Sequence, residues 1–422
     1  MVYEPEAASI YARLLPVDKL VGENGTVILK AFDPGRKFIV VDAGGGTVDI
    51  SAQQVLENGE LKIIHRECGG PWGGECINKQ FVNMLKELFG KEVMNQFKSN
   101  NGDDFLQLLR DFEVKKKMFK VEDEESLTIR MALSLIELFL DIEHLDVPTA
   151  IARSRFNENL RLKRDKLYIA GSLVETFFTE TIQMIIDEVL SILKHERCSD
   201  VSAIMLAGGF SEADILQNAI KKQFQSLEVF IPTDGALAVL KGAVIYGHNP
   251  SIVSMRVCYH TYGIHVEKEF DSSIHDPKKK INHDGIMRCA NIFEVLFEMD
   301  QEVHIGQTRS KDLRETFYSE DRQQMRYDPI IYPFVISTNK HPFYTTDDGC
   351  MEHGSIIVSP PNGMWPKIVN SKILLKIGGT ELVGTCVDKE TMKETSVRFE
   401  FLPSIHKNPE RKRLFDPFYL DI

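Results

Sequence analysis

The stretch Val40-Val41-Asp42-Ala43-Gly44-Gly45-Gly46-Thr47-Val48-Asp49-Ile50 constrains this chain more than any other. An apolar run enters a glycine corner. Alternation then resumes, with Val48 and Ile50 facing one way and Thr47, Asp49 and Ser51 the other, which predicts two strands joined at the glycines. Three consecutive glycines let backbone N–H groups approach an anion with no side chain in the way. Asp42 ends the incoming strand, where a carboxylate can hold the hydration shell of Mg2+. Thr47 adds a hydroxyl and Asp49 a second carboxylate. No Gly-Lys-Ser/Thr follows, so this is not a P-loop, and a strand follows where a dinucleotide fingerprint needs a helix. The plain alternative is a hairpin that uses glycine only to turn, which leaves the flanking acids and threonine unexplained.

The rest of the chain is organised around this corner. Residues 5–15 predict a short helix, and 37–67 predict three strands, the second and third joined by a turn at Glu57-Asn58-Gly59. A glycine-rich loop at 69–74, containing Gly70 and Gly73, leads into a helix near 76–90. A charged helix is expected over 103–120, strand-like and then irregular chain over 126–150, and a long amphipathic helix over 171–195. After it come a strand, the Gly208-Gly209 turn and a helix, then the strand EVFIP and the helix GALAVLKGAVIYG. Helical periodicity stops at Asn249-Pro250. From 251 to 402 short alternating strands between turn residues suggest an antiparallel β-sandwich. The expected division is thus 1–250, 251–402 and a basic, then aromatic tail at 403–422.

Composition narrows the function classes. The 422 residues carry 50 Lys and Arg against 62 Asp and Glu, a net charge of −12. That balance lacks the basic footprint of a nucleic-acid binder. No apolar run reaches the length of a membrane span, and the N-terminus has no signal-peptide pattern. The seven cysteines form no C-x-x-C pair, so reduced thiols and a cytoplasmic location are expected.

Three weaker signals accompany the corner. In IMLAGGFSEADILQ (204–217), Gly208 and Gly209 close a buried strand with flat backbone on which an adenine ring can lie, and Ser211 with Asp214 reads as a capping box for the next helix. Any α/β fold needs such corners, so the structural reading stands beside it. Glu113, Lys116 and Lys117 share one helix face, suited either to ribose and base contacts or to solvent. Glu4, just before Pro5 at a helix mouth, can orient a water molecule or simply complement the helix dipole.

In order, these pieces resemble the nucleotide-binding domain of the heat shock protein 70 kDa (DnaK-like) family of the actin-like ATPase superfamily. EPEAASIY, VVDAGGGTVDI, GGPWG, AGGFSEADILQ and IPTDGALAVLKGAVIYGHNP look closer to its divergent 12A/12B-type subfamily, over roughly residues 3–400. The resemblance implies an α/β, ribonuclease H-like ATPase domain lacking part of its first lobe, with lobe I remaining over about 1–68 and lobe II over about 69–250. A β-rich, sandwich-like domain follows.

The resemblance also implies site roles. Glu4 would position water, and Asp42 and Asp49 would hold Mg2+ through water. Gly44, Gly45, Gly46 and Thr47 would form a phosphate loop, with Gly70 and Gly73 nearby. Glu113, Lys116 and Lys117 would contact adenosine. Gly208 and Gly209 would form the adenine shelf, and Asp234 would lie near the second connecting segment; the shelf departs from the family in carrying Phe210-Ser211-Glu212 where chaperone members have Ser-Thr-Arg, so the stacking guanidinium is lost and Phe210 is expected to stack in its place. The implied cofactors are ATP or ADP and Mg2+, and the implied activity is that of an ATPase of chaperone type with protein partners on the β-rich domain.

The sequence departs from that pattern in lacking the family's first phosphate hairpin and its lysine, an apolar interdomain linker and a helical lid. An N-terminally incomplete chain and slow or absent hydrolysis are therefore expected. The alternative function is a non-catalytic nucleotide sensor or protein-interaction scaffold.

Overall fold

The computed structural model describes residues 2–15, 20–21, 32–120, 126–232 and 234–401. It is mixed α/β with several sheets. The described chain divides into two compact units, an N-terminal one of Val2–Glu60 with Ile64–Ile252, and a C-terminal one of Leu61–Ile63 with the described residues from Val253 to Phe401. The tail at 403–422 lies outside the described residues.

The N-terminal unit opens with α1 (Glu4–Ala12), β1 (Leu20–Val21), β2 (Lys37–Ala43), β3 (Val48–Val55) and β4 (Leu61–Gly70). The helices α2 (Gly74–Phe89), α3 (Lys91–Asn100) and α4 (Gly102–Met118) follow, then β5 (Ser126–Arg130), α5 (Leu133–Glu143) and α6 (Val147–Arg153). It closes with β6 (Leu160–Lys163), β7 (Lys166–Ala170), α7 (Gly171–Leu193), β8 (Ala203–Ala207), α8 (Asp214–Gln223), β9 (Glu228–Pro232) and α9 (Ala238–His248). The main sheet runs β1-β9-β8-β2-β3-β4. β8 lies parallel to both β2 and β9, and β3 runs antiparallel to β2. All five residues of β8 are buried, as its uninterrupted apolar run requires of a strand covered on both faces. The expected turn forms at Gly59, with φ +81 and the Leu56 amide on the Glu60 carbonyl at 2.8 Å.

Two expectations are corrected. The stretch 126–150 is irregular only at its joints. α5 buries Leu135 and Phe139 on one side while Leu133 and Leu140 stay exposed, so leucines on both faces hide the helical period. α6 starts at an N-cap, Asp146, whose side chain accepts from the Thr149 amide at 2.7 Å. The second correction is the capping box. Ser211 Oγ instead donates to the Gly208 carbonyl at 2.6 Å, and α8 begins after Ala213 with no side-chain cap.

The C-terminal unit contains β10 (Val253–Val257), β11 (Thr261–Glu269), β12 (Lys280–His283), β13 (Ile286–Phe297), β14 (Glu302–His304) and β15 (Thr308–Thr316). It continues with α10 (Glu320–Gln324), β16 (Ile330–Ser337), β17 (Cys350–Val358), β18 (Ile368–Ile377), β19 (Glu381–Asp388) and β20 (Glu394–Glu400). Two antiparallel sheets form, β12-β13-β11-β16-β17 and β15-β18-β19-β20. Ile264, Phe297 and Tyr332 from the first share one core with Ile373, Leu375 and Leu382 from the second. β10 pairs with β14 and, in parallel, with Leu61–Ile63, which is why those three residues group with this unit. Among the described residues, no helix is long and apolar enough to cross a membrane.

Candidate functional site

The site is built inside the N-terminal unit, and its geometry starts with where the glycine carbonyls go. The Gly44 amide donates to the Thr47 carbonyl at 2.9 Å and closes the corner between β2 and β3. The carbonyls of Gly44, Gly45 and Gly46 accept from the amides of Gly74, Glu75 and Gly73 at 3.1, 2.8 and 3.3 Å, at the opening of α2. A trans peptide is planar, with C=O and N–H on opposite sides, and no described peptide is cis. Three carbonyls turned toward α2 therefore turn the N–H groups of Gly45, Gly46 and Thr47 away from it. Successive N–H groups on one side of a turn form a concavity suited to an anion. Space is open there, because a β-carbon placed on Gly45 or Gly46 meets nothing within 4 Å. The expected role of Gly44 is corrected, since its amide is consumed by the turn. Gly73 is likewise a packing glycine, because a β-carbon on it would collide with the Gly45 carbonyl. Gly70 lies under the Trp72 ring, which a β-carbon on it would strike.

Carboxylates gather on the strands beside this concavity. Asp42 is 4% exposed, paired across the ladder with Asp49 and alongside Ala207. Burial, followed by the Glu4 and Asp49 carboxylates, pushes the Asp42 carboxyl up to about 7. Thr47 Oγ1 donates to Asp49 Oδ2 at 3.0 Å. Glu4 is the exposed first residue of α1, whose start is tied down by Gln53. Gln53 is fully buried, donates to the Pro5 carbonyl at 3.3 Å and accepts from Ser9 Oγ at 2.7 Å. Among the described residues, no three His, Cys, Asp or Glu side chains are grouped closely enough to hold a metal ion directly.

The second glycine corner abuts the first. Gly208 takes φ +82, and a β-carbon on it would collide with the Ala43 carbonyl and Asp42 Oδ1. Its amide donates to the Gly235 carbonyl at 3.1 Å. Gly209 faces α4, where Lys117 Nζ stands 3.5 Å from the position of its missing β-carbon. Lys117 also lies 3.8 Å from Glu212 Oε2 and 4.0 Å from Glu113 Oε1.

Two expected ligand contacts, Lys116 and Phe210, are turned inward, and a third, Asp234, is engaged by neighbouring helices. Lys116 is 1% exposed, and its ammonium donates to the Gly74 carbonyl, Asn78 Oδ1 and Glu113 Oε2 at 2.7, 2.8 and 2.5 Å. An ammonium has three donors, so none remains for a ligand. Desolvation lowers its pKa, with Glu113 opposing that shift. Phe210 is 2% exposed and stacked on Phe178 at 6.2 Å between ring centres, in the core. Asp234 accepts from Tyr11 Oη at 3.0 Å and Lys241 Nζ at 2.5 Å, and so ties α9 to α1. Glu113 keeps a lowered pKa despite partial burial, because Lys116 and Asn78 hydrogen-bond it.

Sequence reasoning missed Asn78 and Gln53. Both are polar residues at buried positions, and the pattern of polar and apolar residues gives no sign of which polar groups find partners inside.

Residues 33–229 match the family described as a domain of unknown function, DUF8340. The human heat shock 70 kDa protein 12A is 27% identical over 396 residues, covering 93% of this chain and 57% of that protein. Human heat shock 70 kDa protein 12B is 27% identical over 405 residues with the same shares. The chaperone protein DnaK of Thermosipho melanesiensis is 27% identical over 192 residues, 45% of this chain and 28% of that one. This chain thus spans little more than half the length of the two human relatives.

Proposed function

The chain is a divergent member of the heat shock 70 kDa protein 12A/12B-like family, and on that premise we propose that it binds a nucleoside di- or triphosphate, ATP or ADP with Mg2+, at the corner of residues 42–49 and 208–209. One observation carries the reading: the Gly44, Gly45 and Gly46 carbonyls are held by α2, which presents the Gly45, Gly46 and Thr47 amides together over open space. Phosphate oxygens accept from those amides. Asp42 and Asp49 are hard oxygen donors suited to Mg2+ through its waters; burial, and after it the Glu4 and Asp49 carboxylates, raises the proton affinity of Asp42. When bound, Mg2+ would neutralise phosphate charge. Glu4 holds a water by hydrogen bonding at the mouth of α1, and Lys117 with Glu113 lines the far wall. An actin-like, two-lobed arrangement and chaperone-type protein contacts on the β-rich unit belong to the same proposal.

A second reading, a nucleotide sensor that hydrolyses slowly, is favoured by Asp42 itself. A carboxyl held near 7 is about half protonated at neutral pH and holds a cation less firmly than a full carboxylate. Calorimetric titration with MgATP and MgADP tests the binding proposal, beside Asp42→Ala. Binding that the substitution weakens at least tenfold is the expected result. No heat in either protein, with the fold intact by circular dichroism, would remove the nucleotide reading. Phosphate release at the same concentrations then separates an ATPase from a sensor.

A further inference from the structure

We infer that the outer face of the small sheet β5-β7-β6 docks an acidic, extended segment of a partner protein. These three strands form a sheet of their own, with β7 in the middle and β6 at one edge. Residues directly opposite one another on neighbouring strands share a face. Lys163 lies opposite Lys166, and Lys166 opposite Arg130, so three cations stand in one row across the sheet. Two positions along, Arg161, Tyr168 and Thr128 make the next row of that face. There the Arg161 guanidinium lies 4.9 Å from the Tyr168 ring centre. The intervening row of Leu162, Leu167 and Ile129 belongs to the opposite face, where Leu167 and Ile129 are fully buried. Arg164 adds a fifth cation at the turn between β6 and β7.

All five cations are exposed. Asp165 is the acid that answers them, meeting Arg130 Nε at 2.8 Å and lying near Lys166. Asp111, beside β5, is taken up by Lys115 Nζ and the Arg130 amide. Arg161, Lys163, Arg164 and Lys166 form no ion pair among the described residues. Five cations against one acid leave a charge of +4 here, in a chain whose net charge is −12. Like charges directly opposite each other destabilise a sheet, so the row strains the isolated fold and an anionic partner relieves it. The spacing says which kind. Same-face residues along β6 repeat about every 6.8 Å, and an extended chain repeats its own side chains at that interval. Carboxylates at alternate positions therefore meet Arg161 and Lys163 together, as opposite-charge cross-strand pairs do. Apart from Tyr168, which Arg161 covers, these strands present no large apolar side chain on this face to enter a bilayer, which favours a protein segment over a lipid surface.

The experiment is fluorescence anisotropy of the full chain with the labelled peptide SETETETES, in wild type and in Arg161→Glu with Lys163→Glu. Its lysine counterpart, SKTKTKTKS, is titrated beside it. Expected is binding of the glutamate peptide by wild type that weakens as salt rises. The double variant should bind it at least tenfold more weakly and take up the lysine peptide instead. The exchange sets opposite charges across from Lys166, so the urea midpoint should hold or rise, and lost binding is then not lost fold. No binding of the glutamate peptide by wild type overturns the inference and leaves the cations as protection of an exposed strand edge. Equal binding by both proteins overturns the role of this face. Two further results also overturn it. One is pelleting with phosphatidylserine–phosphatidylcholine vesicles, abolished in the variant, while the peptide stays unbound. The other is self-association in sedimentation velocity that the variant abolishes, which would make the occupant a second copy.

Discussion

Gly46 and Gly73 meet at the same corner, yet a methyl group on each does different things. On Gly46 it enters open space, so Gly46→Ala should leave the urea midpoint nearly unchanged and weaken nucleotide binding at least tenfold. On Gly73 it collides with the Gly45 carbonyl, so Gly73→Ala should cost about 1–3 kcal/mol of stability, as overpacking does. Equal effects on stability would mean the corner is a plain turn. Asp42 gives the residue-level pH prediction. Its folded value of about 7 lies above the ordinary 3.8, so the folded state holds the extra proton between roughly pH 4 and 7. Stability from this group is present below that window and is lost as pH rises through it. Asp42→Asn should match wild type at pH 4 in EDTA and exceed it at pH 8, by at most about 4 kcal/mol. Urea titrations at the two pH values check this, and no pH-dependent gap would contradict the buried, acid-flanked setting of Asp42. That Asp42, Thr47 and Asp49 lie together at one corner was legible, because a glycine run between strands limits where its neighbours point. Lys116 and Phe210 were not, because helix spacing names a face and only tertiary packing decides whether that face is wet.

Adjacent lysines on α4 divide structure from recognition. Lys116 bridges α4 to α2 through Glu113, Asn78 and the Gly74 carbonyl. Lys116→Met leaves the Gly74 carbonyl and Asn78 Oδ1 without their buried donor, while Glu113 at 38% exposed can turn to water, and should cost about 1–3 kcal/mol. Lys117→Met removes only long, partly exposed pairings, worth about 0–1 kcal/mol, and should instead weaken nucleotide binding. Denaturation midpoints and titration together test the split, and a stability loss at Lys117 as large as at Lys116 would refute it. At this scale, elements with one clean apolar face were legible, as α2 and α7 were. α5 was not, with leucines on both sides, although Asp146 with Pro148 carries the N-cap signal of α6.

The whole molecule comprises two units with separate cores, so a single unfolding free energy does not describe it. Scanning calorimetry should resolve two transitions. A nucleotide at 100 times its dissociation constant should stabilise the N-terminal unit by about 2.7 kcal/mol and leave the other transition in place. A single transition that moves as one body would show that the units do not unfold independently. The texture of the sequence changes near Asn249-Pro250, and the C-terminal unit resumes at Val253; the allegiance of Leu61–Ile63 was invisible, because a strand's neighbour is not written in its own residues. Closure of the N-terminal unit has a consequence during synthesis. α1 meets α9 through Tyr11 and Lys241, 230 positions apart, and Gly242 packs on the Ala7 backbone. At ribosomal rates of about 5–20 residues per second, α1 must wait roughly 10–50 s for the helix that covers it. For that interval its apolar surface is nascent chain, open to whatever the ribosome exit brings near it.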